Sequence, residues 1–159
     1  MKFSKILMAM VLLCCWQGAN AQFIGDVFFD ENNVTVSAGQ QLTLPAVFFA
    51  GADPMGGVEF EVSFDPAVLS LVDITAADGD FSGLFSSHQN NDGNYAIVVS
   101  NQTSLTAPTA SVPLVNLIFE IVGSAGDTAQ VQTTVRDSVT TSLVRYPASV
   151  GFVTTVTVQ

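Results

Sequence analysis

The chain has 159 residues, 14 Asp and Glu against 4 Lys and Arg, a single His, and a formal net charge of −10. A field of that sign repels nucleic acid and anionic membrane surfaces, so neither is an expected partner. The length suits one domain with one hydrophobic core.

The N-terminus is read first as a targeting segment. Lys2 and Lys5 precede an apolar run from Ile6 to Trp16, and Ala19-Asn20-Ala21 is a small-x-small cleavage site. That is the pattern of a secretory signal peptide over residues 1–21. The run is too short to cross a bilayer, which takes about 20 residues, so no membrane insertion is expected. Lipidation at Cys14 or Cys15 is the competing reading, but the residues before them, Leu13 and Cys14, are not the usual small residue. Both cysteines lie in this segment, so the domain at 22–159 holds together without a disulfide. It keeps Arg136 and Arg145 as its only bases. The expected location is secreted, outside the cell or in the periplasm.

Sustained helical periodicity is missing, and Val, Thr, Phe and Ile are abundant. Turn signals recur at Asn32-Asn33, Ala38-Gly39, Asp53-Pro54, Asp65-Pro66, Asp78-Gly79, Asp92-Gly93, Gly126-Asp127 and Tyr146-Pro147. Short apolar runs punctuated in this way predict an all-β sandwich or barrel. In chain order the predicted strands are Phe23 to Phe29, Asn33 to Ser37, Gln41 to Val47, Val58 to Phe64, Ser70 to Ile74, one near Phe85, Tyr95 to Ser100, Val112 to Val122, Ala129 to Arg136, and Val150 to Val158. Residues 101–111 read as an inter-strand loop.

Val58 to Phe64 alternates most strictly. Val58, Phe60, Val62 and Phe64 fall on one side, and Glu59, Glu61 and Ser63 on the other. Burying each apolar side chain is worth roughly 1.5–3 kcal/mol, which fixes the register. Asp65-Pro66 ends the strand, because Pro offers no ladder donor and presets φ for a turn. Ala67-Val68-Leu69 makes one tight turn, after which Leu71, Val72 and Ile74 resume packing. By the same alternation, inward Val115, Leu117, Phe119 and Ile121 leave Asn116, Ile118 and Glu120 outside. Inward Val131, Thr133 and Val135 leave Gln132, Thr134 and Arg136 outside.

Four stretches, NNVTVSAGQQLTLPAVF (Asn32–Phe48), GGVEFEVSFDPAVLSLVDI (Gly56–Ile74), PLVNLIFEIVGSAGDTAQVQ (Pro113–Gln132) and ASVGFVTTVTVQ (Ala148–Gln159), together resemble the cohesin domains of bacterial scaffolding proteins. The aromatic-Asp-Pro-x-Val-Leu element is the most specific of these. The resemblance implies a nine-stranded jelly-roll β-sandwich, related in fold to some cellulose-binding modules, that docks a dockerin. A dockerin is a small helical module carrying its own EF-hand-like Ca2+ loops. The resemblance also implies that the strand before the aromatic-Asp-Pro turn lies on the flat contact face. Some members carry an Asn-x-Asp pair there, and this sequence has Gly57 and Glu59 at those positions. The expected partner-binding set is Glu59, Glu61, Asn116, Glu120, Gln132, Thr134 and Arg136.

Catalysis finds little support. Glu59 and Glu61 emerge roughly 6.5–7 Å apart, a spacing used by inverting glycosidases. Those carboxyls face each other across a cleft, whereas these two share an open sheet. His88 sits in a polar loop, and no nucleophile-elbow motif surrounds any serine. One His and no Cys in the mature domain exclude a thiolate or His-rich zinc site, and no cofactor is expected. Ala77–Gly83 and Asn90–Asn94 offer oxygen ligands for weak Ca2+ binding but lack EF-hand spacing, and turn chemistry explains them. The alternatives to a dockerin-type partner are direct binding of polysaccharide and a structural extracellular role. The first lacks the aromatic platforms that sugars stack on: the predicted domain has no Trp and only Tyr95 and Tyr146.

Overall fold

A computed structural model describes residues 24–51, 55–78, 84–90, 93–100 and 110–159. The signal-peptide reading at 1–21 and the Asp53-Pro54 turn lie outside the described residues. So do residues 79–83 and 91–92 of the two acidic loops, and residues 101–109 of the expected inter-strand loop.

The described residues form eleven strands, and every element among them is a strand or a turn. They are β1 (Val27–Phe29), β2 (Asn33–Val36), β3 (Gln41–Gly51), β4 (Met55–Ser63), β5 (Leu69–Ala76), β6 (Leu84–Gln89), β7 (Tyr95–Ser100), β8 (Ala110–Ile121), β9 (Thr128–Thr140), β10 (Arg145–Tyr146) and β11 (Ser149–Val158). They build a sandwich. One sheet runs β1-β3-β8-β5, and the other runs β2-β11-β9-β4-β7-β6 with β10 attached to β9. The all-β sandwich agrees with expectation. Ten of the strands correspond to those expected in chain order, the first shortened to Val27–Phe29, and the eleventh is β10, of 2 residues. Tyr146-Pro147, read as a turn signal, contributes Tyr146 to β10, paired with Ser138.

Alternation fills the space between the sheets. Val58, Phe60 and Val62 of β4 and Val131, Thr133 and Val135 of β9 face Leu44, Ala46 and Phe48 of β3 and Val115, Leu117 and Phe119 of β8, all buried. Phe64 packs against this cluster. Its ring meets Phe119 edge-on at 5.1 Å and stacks on Tyr95 at 6.1 Å. The Asp65-Pro66 turn forms as expected. Asp65 Oδ1 accepts from the Ala67 amide at 2.9 Å, and its carbonyl accepts from Val68 and Leu69. Val68 and Leu69 are buried, but Val72 is 46% exposed rather than packed. The pairing of β5 with β8 shifts between Leu71 and Asp73, so Val72 is the extra residue of a bulge and leaves the inward row.

One flank of the sandwich is sewn shut. Thr133 of β9, fully buried, donates its hydroxyl to the Val27 carbonyl of β1 at 2.5 Å and so joins the two sheets. Gly151 of β11 sits against the same pair, and a Cβ there would overlap Thr133 Oγ1 and the Val27 carbonyl oxygen. Further along, Thr154 donates to the Glu31 carbonyl at 2.7 Å.

Candidate functional site

The outer face of the larger sheet is built around β4. Because Val58, Phe60 and Val62 go inward, Gly57, Glu59, Glu61 and Ser63 go outward. β9 flanks them on one side and β7 on the other. Gly57 lies between Val139 and Ser100, Glu59 between Asp137 and Val98, and Glu61 between Thr134 and Ala96. On this part of the face β4, β7 and β9 are each paired on both sides. Their backbone donors and acceptors are consumed in the ladders, so only side chains are left to meet a partner.

A bulge decides what β9 contributes. Its register against β4 passes from Val135↔Phe60 to Asp137↔Glu59, which leaves Arg136 as the extra residue. Before the bulge, Gln132 and Thr134 face out. After it the alternation inverts, so Arg136 and Asp137 both face out while Ser138 is buried. Arg136 Nη2 bonds Glu61 Oε2 at 2.5 Å, and Asn90 Nδ2 donates to Glu61 Oε1 at 3.3 Å. Arg145, brought alongside by β10, pairs with Asp137. Glu59 is exposed and has no ion pair or hydrogen bond among the described residues. The two bases of the described residues thus both lie on this face, each matched to a carboxylate, and Glu59 is the carboxylate left over.

Beside Glu59 the face is hollowed. Gly56 and Gly57 carry no side chains, and a depression of ≈ 250 Å³ opens there, walled by Val98, Ser100 and Val139 and rimmed by Glu59 and Asp137. Val98 is 44% exposed, large for an apolar side chain with sheet neighbours on both sides.

Of the seven residues expected to bind a partner, the larger sheet gathers Glu59, Glu61, Gln132, Thr134 and Arg136. Asn116 and Glu120 do not join them. They lie on β8 in the other sheet, opposite Pro45 and Gln41 of β3, and the core separates them from Glu59. Alternation is a property of one strand and is silent on which sheet that strand enters. Sequence reasoning also missed Asp137, Arg145, Val98 and Val139. The signal for Asp137 was present: in VQTTVRDSVT strict alternation sends Asp137 inward with Val135, and a carboxylate in a core row points to a bulge.

His88 is part of β6, opposite Ala96, rather than in a loop. The loop itself is the hairpin turn beyond it, where Asn90 donates to the Asn94 carbonyl at 2.7 Å and Gly93 takes φ 87°. Glu59 and Glu61 share an open sheet with no opposing wall. Among the described residues no group of three or more His, Cys, Asp and Glu is placed to hold a metal. Every Phe and Tyr among them is buried or half-buried. A second recess, of ≈ 240 Å³ between β5 and β6, is lined by Leu71, Val72, Asp73, Ile74, Ser87 and Tyr95. Tyr95 there is half-buried with its ring against Phe64.

The family model of the cohesin domain matches residues 28–154. No curated protein sequence matches the chain significantly. Among solved structures, the chain is similar to a type I cohesin–dockerin complex containing OlpA cohesin from Clostridium thermocellum. The TM-score is 0.68 at 13% identity, over 84% of this chain and 99% of that one. The sixth cohesin of scaffoldin B from Acetivibrio cellulolyticus, in complex with a Cel5 dockerin, gives 0.65 at 17% identity over 85% and 99%. A non-cellulosomal cohesin from the hyperthermophilic archaeon Archaeoglobus fulgidus gives 0.63 at 12% over 84% and 89%.

Proposed function

The chain belongs to the cohesin domain family, and on that basis we propose that it is a non-catalytic recognition module that docks a dockerin-type partner on the outer face of β9, β4, β7 and β6. The observation that carries this is the position of β4. The strand that runs into the aromatic-Asp-Pro turn occupies the middle of a sheet whose outward side chains include an uncompensated carboxylate and an apolar hollow. Two of the similar structures are complexes with dockerins, which supports a dockerin as the kind of partner. Glu59, Gln132, Thr134 and Arg136 line the contact. Glu61 holds Arg136 in place beneath it. Asn116 and Glu120, on the far sheet, stay outside it.

The N-terminal pattern supports secretion, with residues 1–21 as a cleaved signal peptide, so the partner is met outside the cytoplasm. The role we propose for it there is the assembly of extracellular proteins that degrade polysaccharide, supported by its likeness to a scaffoldin cohesin in complex with a dockerin. Direct sugar binding has weaker support, since the half-buried rings offer no open stacking platform.

The test is capture. The chain is immobilised and challenged, with Ca2+ present, with dockerin modules from secreted proteins. Saturable, calcium-dependent binding of at least one of them is expected. Lack of binding to all of them, together with retention of the chain on insoluble cellulose or chitin, would reverse the assignment.

A further inference from the structure

Glu59 and the hollow at Gly57 are neighbours on one strand, two positions apart, so their centres are separated by roughly 6.5–7 Å. Along the β4, β7 and β9 strip the carboxylates of Glu61 and Asp137 are already matched by Arg136 and Arg145. A partner arriving here therefore meets one spare negative charge, not the acidity of the chain as a whole. Beside that charge it meets an open depression of ≈ 250 Å³ with Val98 and Val139 in its walls and no side chain on its floor at Gly57. Gly57 lines the hollow, so a larger residue at this position would project into it, with its Cβ pressed to 3.2 Å from the Val99 carbonyl oxygen.

Resting on the docking role proposed above, we infer that this face selects a partner helix by two adjacent side chains: a large apolar residue that enters the hollow at Gly57, and a Lys or Arg that reaches Glu59. Strand addition is closed off here, because the three strands are already paired on both sides. An α-helix satisfies its own backbone and presents residues i and i+4 at about 6 Å, which matches the spacing of the two features. Charge complementarity fixes the cation, since Glu59 lacks a counter-ion on its own face. Desolvation of the hollow fixes the apolar anchor, because a small or polar residue would leave Val98 and Val139 wet.

The test presents the full chain to a displayed library of a dockerin module in which outward helix pairs i and i+4 are randomised. Enrichment of a large aliphatic or aromatic residue beside Lys or Arg is expected. Gly57→Leu should weaken the leading clone by about tenfold or more and remove the selection for bulk. Glu59→Gln, at an exposed position that does not threaten folding, should weaken it roughly twofold to fivefold and remove only the selection for the cation. Enriched clones without this signature, or with affinity indifferent to Glu59→Gln, overturn the inference while leaving the docking role standing. Failure to enrich any clone overturns the docking role itself.

Discussion

Glu59 of β4 stands directly across the ladder from Asp137 of β9, a like-charge rung created when the bulge at Arg136 turns Asp137 outward. Like charges at opposed positions destabilise a strand pair, and here Arg145 compensates only the Asp137 side. A cation placed beside Glu59 would relieve this rung.

Removing that repulsion should stabilise the free domain. Glu59→Gln is expected to raise the unfolding free energy by about 0.2–1 kcal/mol in urea titrations at low salt, with the gain shrinking as salt is added. A loss of stability would mean that Glu59 has a stabilising partner.

The Arg136–Glu61 pair is partly screened, with side-chain exposures of 53% and 20%. A double-mutant cycle with Arg136→Ala and Glu61→Ala should return a coupling below about 1 kcal/mol. Its larger effect belongs to geometry, since Asn90 also holds Glu61. In amide exchange, Glu61→Ala should therefore raise rates near Asn90 and Arg136 and leave β8 unchanged.

The seam between the sheets should be intolerant of change. Thr133→Val strands the buried Val27 carbonyl and is expected to cost about 1–3 kcal/mol. Gly151→Ala places a methyl group on Thr133 Oγ1 and on a backbone oxygen, so its cost should reach or exceed the upper end of the roughly 1–3 kcal/mol typical of overpacking. Thermal and denaturant unfolding of the two variants measure this directly.

Ser138 predicts the opposite sign on the same strand. It is 1% exposed, and its Oγ has no hydrogen-bond partner among the described residues. Ser138→Ala removes a buried polar group that is already unsatisfied, so stability should be unchanged or rise by about 1 kcal/mol. A clear loss on Ser138→Ala would show that the hydroxyl is satisfied in solution.

What the sequence made legible was local. Val58 to Phe64 declared its inward and outward rows because the period of a strand is two, and Asp65-Pro66 declared its stop. The hairpin joining β6 and β7 was readable from Asp92-Gly93 and the apolar run after it. The resemblance to cohesins carried the fold from strands to sandwich. What stayed hidden was non-local. Asn116 and Glu120 alternate as cleanly as Glu59 does, yet β8 enters the other sheet. Arg145 reaches the site only because two residues of β10 pair with β9 beyond the bulge. The hollow at Gly57 exists only where Val98, Ser100 and Val139 surround it, and those come from strands far apart in the chain.

The most direct test of the docking face maps a captured dockerin module onto the chain by amide chemical-shift perturbation. Shifts concentrated at Gly57, Glu59, Val98 and Arg136 on β4, β7 and β9 are expected, with Asn116 and Glu120 on β8 unmoved. Perturbations centred on β8 and β3, with β4 silent, would contradict this docking face.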